Sequence, residues 1–159
     1  MSNTVNGIYV EILSLCNCKC TYCYNENIRE NNVMFSLDLF TKLLDDCVSE
    51  GISSISISGG EPLLHPLLLD FIHYSYDKGV YLNIITNLTI YNETLYEAIC
   101  EYSVSLQVTI DGPNETIHNY TRGQDTFSKT VKNLEKLKLL NYNGSLTIRM
   151  NLHQKNYTY

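Results

Sequence analysis

The chain predicts an α/β fold built on a parallel sheet, and three observations lead there. Short apolar, β-branched runs alternate with longer segments of helical period. Gly and Asn separate the two kinds of segment. The repeat is roughly 30 residues, the length of one strand with its return helix and turns. Strands and helices that alternate in this way are joined by right-handed crossovers and lie parallel. A chain of 159 residues then holds about five strands and four helices in one domain.

Residues 8–15 are a buried apolar run and the first strand. Ser36 is placed to cap a helix over 37–49, with Leu39, Phe40, Leu43, Leu44 and Cys47 on one side and Gly51 just past its end. Residues 53–58, SSISIS, form the second strand. A helix over 65–78 is stopped by Gly79, and 80–86, VYLNIIT, form the third strand. Asn92 opens a shorter helix that runs to about Glu101, and the fourth strand covers 104–110. Residues 111–123 read as a loop, 126–140 as an amphipathic helix and 145–151, SLTIRMN, as the fifth strand. With no linker or low-complexity tract, a single domain is expected to span 1–159.

Composition excludes several classes. Hydrophobic residues at 44% and charged residues at 18% are globular rather than disordered proportions. The net charge of −6, without a basic run, argues against nucleic acid or an anionic membrane as partner. The N-terminal apolar run has no positive flank and is broken by Glu11 and Ser14, and no stretch approaches membrane-span length. The expectation is a cytoplasmic protein, in which clustered thiols serve as ligands or catalytic groups rather than disulfides.

In parallel α/β sheets, ligands bind beyond the carboxyl ends of the strands. The loops there read CNCKCTYCY, SGGEPLLHP, TNLT and DGPNETIHNYTRG. Four of the six cysteines fall within residues 16–23. Cys16, Cys20 and Cys23 give C-x3-C-x2-C, a spacing that lets one loop wrap three corners of a cubane and leaves one iron open. The competing reading is a zinc site on Cys16, Cys18, Cys20 and Cys23, although such sites usually use two pairs from separate loops. Gly59 and Gly60 lack Cβ atoms, which lets backbone approach a ligand closely. Cys47 and Cys100 fall on helical patterns as small core residues, and His65 and His73 read as packed or solvated.

Together these residues resemble the radical S-adenosylmethionine (SAM) enzymes, whose signature C-x3-C-x-aromatic-C follows the first barrel strand. Tyr22 occupies the aromatic position, and Ser58-Gly59-Gly60-Glu61-Pro62 is similar to the family's GGE motif. Thr109-Ile110-Asp111-Gly112-Pro113, with His118 and Arg122-Gly123, resembles the subgroup that modifies peptides and proteins, including sulfatase-maturing enzymes and ribosomal-peptide maturases. The resemblance runs from about Gly7 to Asn151. It implies a partial (β/α) TIM-like barrel of about five βα units, a radical SAM core incomplete at its C-terminus and lacking the SPASM domain.

The resemblance also implies a [4Fe–4S] cluster on Cys16, Cys20 and Cys23, with SAM chelating the open iron. Glu61 would then accept from the SAM amino group, Arg122 would hold the carboxylate, and Thr109 and Asp111 would meet the ribose or the amino-acid moiety. Tyr22 would lie against the adenine. Reductive cleavage would yield a 5′-deoxyadenosyl radical, with a flavodoxin or ferredoxin as reductant and a peptide or protein as substrate. The usual Gly after Thr86-Asn87 is Leu88 here, a departure that weakens a SAM role for that loop. His118 matches a family position without a role that the sequence alone supplies. Two other readings stay open: a radical SAM enzyme acting on a small-molecule cofactor precursor, and a non-catalytic zinc-binding or partner-binding module. An open edge at the last strand predicts self-association.

Overall fold

The computed structural model of the chain describes residues 5–29 and 31–158; residues 1–4, 30 and 159 of the expected domain lie outside it. Strands β1 (Gly7–Leu13), β2 (Ser54–Gly59), β3 (Tyr81–Thr86), β4 (Ser105–Thr109) and β5 (Leu146–Arg149) form one sheet in the order β1-β2-β3-β4-β5. Every neighbouring pair is parallel. Helices α1 (Leu37–Ser49), α2 (Leu68–Asp77) and α3 (Glu93–Glu101) return the chain between the first four strands. Helices α4 (Glu115–Arg122) and α5 (Thr126–Leu139) return it between β4 and β5. Sequential strand order with parallel pairing is the arrangement of a barrel that has not closed.

The central strands alternate along most of their length, and that alternation builds two different faces. Ile55, Ile57, Leu82, Ile84, Leu106 and Val108 point outward, all 7% exposed or less, into the core beneath the helices. Ser54, Ser56, Asn83, Ser105 and Gln107 point the other way and remain half-buried. Registers Tyr9↔Ser56, Ser56↔Asn83 and Asn83↔Ser105 make a polar row across the inner face, joined by an Asn83 Nδ2 to Ser56 Oγ hydrogen bond of 3.1 Å. Closed parallel barrels fill that space with branched apolar side chains. Here it is mostly hydrophilic, with Ile85 an apolar member of the same face.

The helices follow local rules. Ser36 Oγ accepts from Leu39 N at 3.1 Å, as its cap position requires, and Phe40, Leu44 and Cys47 are the buried stripe. Phe40 stacks on Phe71 of α2, with ring centroids 4.0 Å apart. Helix α2 begins later than the sequence pattern suggests, because Pro62–Leu64 form a 3₁₀ turn first. His65 is packed there: its Nδ1 accepts from Leu67 N, so Nε2 carries the proton that reaches Phe35 O at 3.1 Å. Asn92 caps α3 through Leu95 N at 3.1 Å.

One element departs from expectation. Residues 115–122, read as loop, form α4, with Asn114 Oδ1 accepting from Ile117 N. Its buried side is Ile117, His118, Thr121 and Arg122, so the apolar period that reveals a helix is absent. Gly112 lets the helix fold back, since a Cβ there would lie 2.3 Å from the Ile117 side chain.

Candidate functional site

All five strands point their carboxyl ends to one rim, and the loops beyond them enclose a cavity of about 670 Å³. That volume lies within the range of small-molecule sites. Cys16, Cys20, Cys23, Tyr22, Gly59, Gly60, Glu61, Thr109 and Arg122 all line it, so residues more than 100 positions apart in the chain meet.

The cysteine loop is held at both ends. On return it pairs with the exit of β1: Ser14 N donates to Val33 O, and Phe35 N to Ile12 O. Midway, Thr21 N donates to Thr121 O of α4 at 2.9 Å. Arg29, buried, donates from Nη1 to Cys18 O at 2.9 Å. Asn25 reaches Glu11 and Gly59 O. Cys16, Cys20 and Cys23 are half-buried at the cavity, whereas Cys18 is buried. A hydrogen bond from the Cys18 thiol, with help from Cys18 N–H, Arg122 and Arg29, brings the Cys16 thiol down to about 6 against the cost of burial. Burial pushes the Cys20 thiol up, partly offset by Arg122.

Among the described residues, no three His, Cys, Asp or Glu side chains converge as the ligands of one metal ion would. A cubane asks for something else: three thiolates from one loop on separate corners, facing an open space. Cys16, Cys20 and Cys23 come from one loop, are half-buried and all border the open cavity.

The two glycines of the second loop are required, but by the fold. Gly59 has φ +126, and a Cβ on it would lie 2.2 Å from Leu13 O. A Cβ on Gly60 would lie 2.0 Å from Leu15 O. Gly60 N donates to Leu13 O and Glu61 N to Leu15 O, clamping this turn against the entry of the cysteine loop. The close approach that the structure shows here is one of backbone to backbone, and it sets the cavity wall.

Glu61 is 1% exposed. Its Oε1 accepts from Leu63 N at 3.0 Å and Thr86 Oγ1 at 2.6 Å, and its Oε2 from Asn87 N at 2.8 Å. Burial nonetheless pushes its carboxyl up to about 7. One acceptor site remains on Oε2, since each carboxylate oxygen takes two donors.

Asp111 is enclosed rather than facing the cavity. It is 0% exposed, and its Oδ2 accepts from Tyr22 OH and from Thr121 Oγ1. Its Oδ1 accepts from Asn151 N at 2.9 Å. Arg122, 9% exposed, stands 4.0 Å away through Nε and donates from Nη1 to Tyr22 OH at 3.0 Å. Against burial, which lowers it, Cys20, Tyr22 and Asp111 hold the Arg122 pKa above its ordinary value. Asp111 thus aims the two side chains that do line the cavity, in place of the direct contact expected of it.

His118 acquires a role here. It is 1% exposed, and its Nδ1 accepts from Asp111 N at 3.1 Å, which fixes the start of the fourth loop. Burial, with the Arg122 charge, pushes its pKa down to about 4.

Several residues that the sequence did not assign to the site line the cavity or support its wall. Asn87 Nδ2 donates to Asn17 Oδ1, tying the third loop to the cysteine loop. Thr130 Oγ1 and Asn133 Nδ2 of α5 donate to Asn87 O and Leu88 O. Leu88, the departure from glycine, takes φ +55 with its side chain fully buried. Arg149 and His153, after β5, also line the cavity.

A family model described as the Radical SAM superfamily matches residues 10–157. The antilisterial bacteriocin subtilosin biosynthesis protein AlbA of Bacillus subtilis (strain 168) is 28% identical over 150 residues, 92% of this chain and 33% of that protein. A GTP 3′,8-cyclase of Chlorobaculum tepidum is 26% identical over 93% of this chain and 44% of its own length. The solved structure described as native anSMEcpe with bound AdoMet and Cp18Cys peptide superposes with a TM-score of 0.74 at 25% identity, over 89% of this chain and 42% of that one. The chain spans a third to under half of the length of these relatives.

Proposed function

We propose, from the premise that this chain belongs to the Radical SAM superfamily, that it forms a radical SAM core domain over residues 1–159 and modifies a peptide or protein side chain. Cys16, Cys20 and Cys23 would hold a [4Fe–4S] cluster, and the neighbouring cavity would hold SAM. When bound, this pair supplies a 5′-deoxyadenosyl radical after one-electron reduction by a flavodoxin- or ferredoxin-type donor. The chain's own groups bind, orient and exclude water. Glu61 offers its remaining acceptor site to the methionyl ammonium, a cation that also suits a carboxylate costly to ionise where it is buried. Arg122 presents a planar fork to the carboxylate, held in place through Tyr22 and Asp111. Thr109, at the end of β4, and Tyr22 line the same cavity; Thr109 would meet the ribose and Tyr22 the base.

The observation that carries this reading is the meeting of three half-buried cysteines, the GGE turn and Arg122 around one cavity. The peptide reading draws support from the relatives whose names and bound partners are peptide-related. A small-molecule substrate is the second reading, favoured by similarity to the cyclase over most of the chain.

Anaerobic reconstitution with iron and sulfide tests the cluster ligands. Cys20→Ala is expected to lose nearly all cluster iron and the brown chromophore, and Cys18→Ala to keep both. Equal loss of iron in the two variants overturns the ligand assignment. Release of 5′-deoxyadenosine on reduction with dithionite checks the SAM assignment.

A further inference from the structure

The charged groups that line the cavity are Glu61, Arg122 and Arg149. Two of them are committed, Glu61 to three protein donors and Arg122 to Tyr22 and Asp111. Among the described residues, Arg149 makes no ion pair. It stands opposite Thr109 in the β4–β5 register, on the inward-facing side of its strand. In a chain of net charge −6, an uncommitted guanidinium at a cavity wall is not part of a general anion-attracting surface.

A second unpartnered donor follows on the same segment. His153 Nδ1 accepts from Lys155 N at 3.2 Å, so the neutral ring carries its proton on Nε2, and Nε2 is buried without a hydrogen-bond partner. The ring stacks on Tyr120 at 5.7 Å and 24°, and it too lines the cavity. The segment is tied down by Asn156. Asn156 Oδ1 accepts from His153 N at 2.7 Å, while its Nδ2 donates to Asp111 O and Asn151 O. A buried N–H without an acceptor is unfavourable until something fills it.

We propose that Arg149 and His153 form a carboxylate subsite that takes an acidic side chain of the substrate peptide. The exposed Arg149 guanidinium can bind a carboxylate bidentately, and the His153 N–H lies on the same cavity lining as a second donor. The inner face continuing from this wall, with Thr147, Gln107, Ser105 and Asn83, is polar and suits a hydrophilic peptide segment rather than an apolar one. The assignment rests on the peptide-modifying reading above. The carboxylate of SAM is the other source of the same chemistry.

The test uses the reconstituted, SAM-loaded protein with two capped tripeptides, Ac-Gly-Glu-Gly-amide and Ac-Gly-Gln-Gly-amide, followed through the Arg149 Nε and His153 Nε2 NMR resonances. The Glu peptide should shift both resonances saturably, and the Gln peptide should bind at least tenfold more weakly. Arg149→Gln should weaken the Glu peptide about tenfold and leave SAM affinity within twofold, and Arg149→Lys should retain most binding. Equal response to both peptides, or no response, overturns the subsite. A tenfold loss of SAM affinity in Arg149→Gln assigns the cation to the cofactor and also overturns it. Release of 5′-deoxyadenosine from the same preparation is read separately. Cleavage without a Glu-peptide shift removes the subsite alone, whereas a shift without cleavage keeps the subsite and removes the reading on which it was placed.

Discussion

Asp111 concentrates more of this site than any other single residue. Its carboxylate gathers Tyr22 from the cysteine loop, Thr121 and Arg122 from α4 and Asn151 after β5, and its backbone is held by His118 and Asn156. The His118 contact predicts a pH dependence. A histidine whose folded pKa is lowered contributes stability that is present above the unfolded value near 6.5 and lost as pH falls toward about 4. The loss amounts to at most about 3 kcal/mol over that window. Urea midpoints measured between pH 7 and 4 should therefore fall for the native chain, and less steeply for His118→Gln, which has no proton to gain. Parallel slopes for the two would mean that His118 titrates as it does in the unfolded chain.

At the scale of elements, the site depends on how closely β1 and β2 leave the sheet. Gly60 allows Leu15 O within a distance that a Cβ would fill at 2.0 Å, while Gly51 has nothing within 4 Å and needs only its positive φ. Gly60→Ala should displace the cysteine loop, costing about 1–3 kcal/mol and most of the reconstituted cluster. Gly51→Ala should cost about 1–2 kcal/mol through its left-handed backbone alone and keep the cluster. Iron content beside thermal stability distinguishes the two; full iron in Gly60→Ala would show that the turn can shift freely. Helix α4 illustrates the opposite kind of information. Its Asn114 cap and acidic first turn were readable, but its buried side is polar, because it exists to carry Thr121, Arg122 and His118. A helix whose inner face serves a site rather than the core hides from hydrophobic periodicity.

Over the whole molecule, as far as the described residues go, β1 and β5 are the outer strands of the sheet, and the returning cysteine loop pairs with the exit of β1 through Met34. All four residues of β5 are exposed, and Leu146 and Ile148 have no helix over them among the described residues. We propose that a polypeptide of these 159 residues self-associates through this edge, and size-exclusion chromatography of it should show apparent mass rising with concentration. A concentration-independent monomer would count against it. Charged substitutions at Leu146 and Ile148 should reduce the association without altering cluster binding.

The sequence by itself determined the alternation of strands and helices, the parallel sheet, the rim at which chemistry gathers, and the cysteine and glycine motifs. These are local patterns of period, capping and spacing, and each can be read within about ten residues. Only the tertiary structure decided that Asp111 is enclosed, that Gly59 and Gly60 serve a backbone approach, and that Arg149 and His153 reach the cavity. Those facts depend on which polar groups find partners from distant loops. A side chain's hydrogen bonds and burial are properties of its neighbours, and no spacing along the chain encodes them.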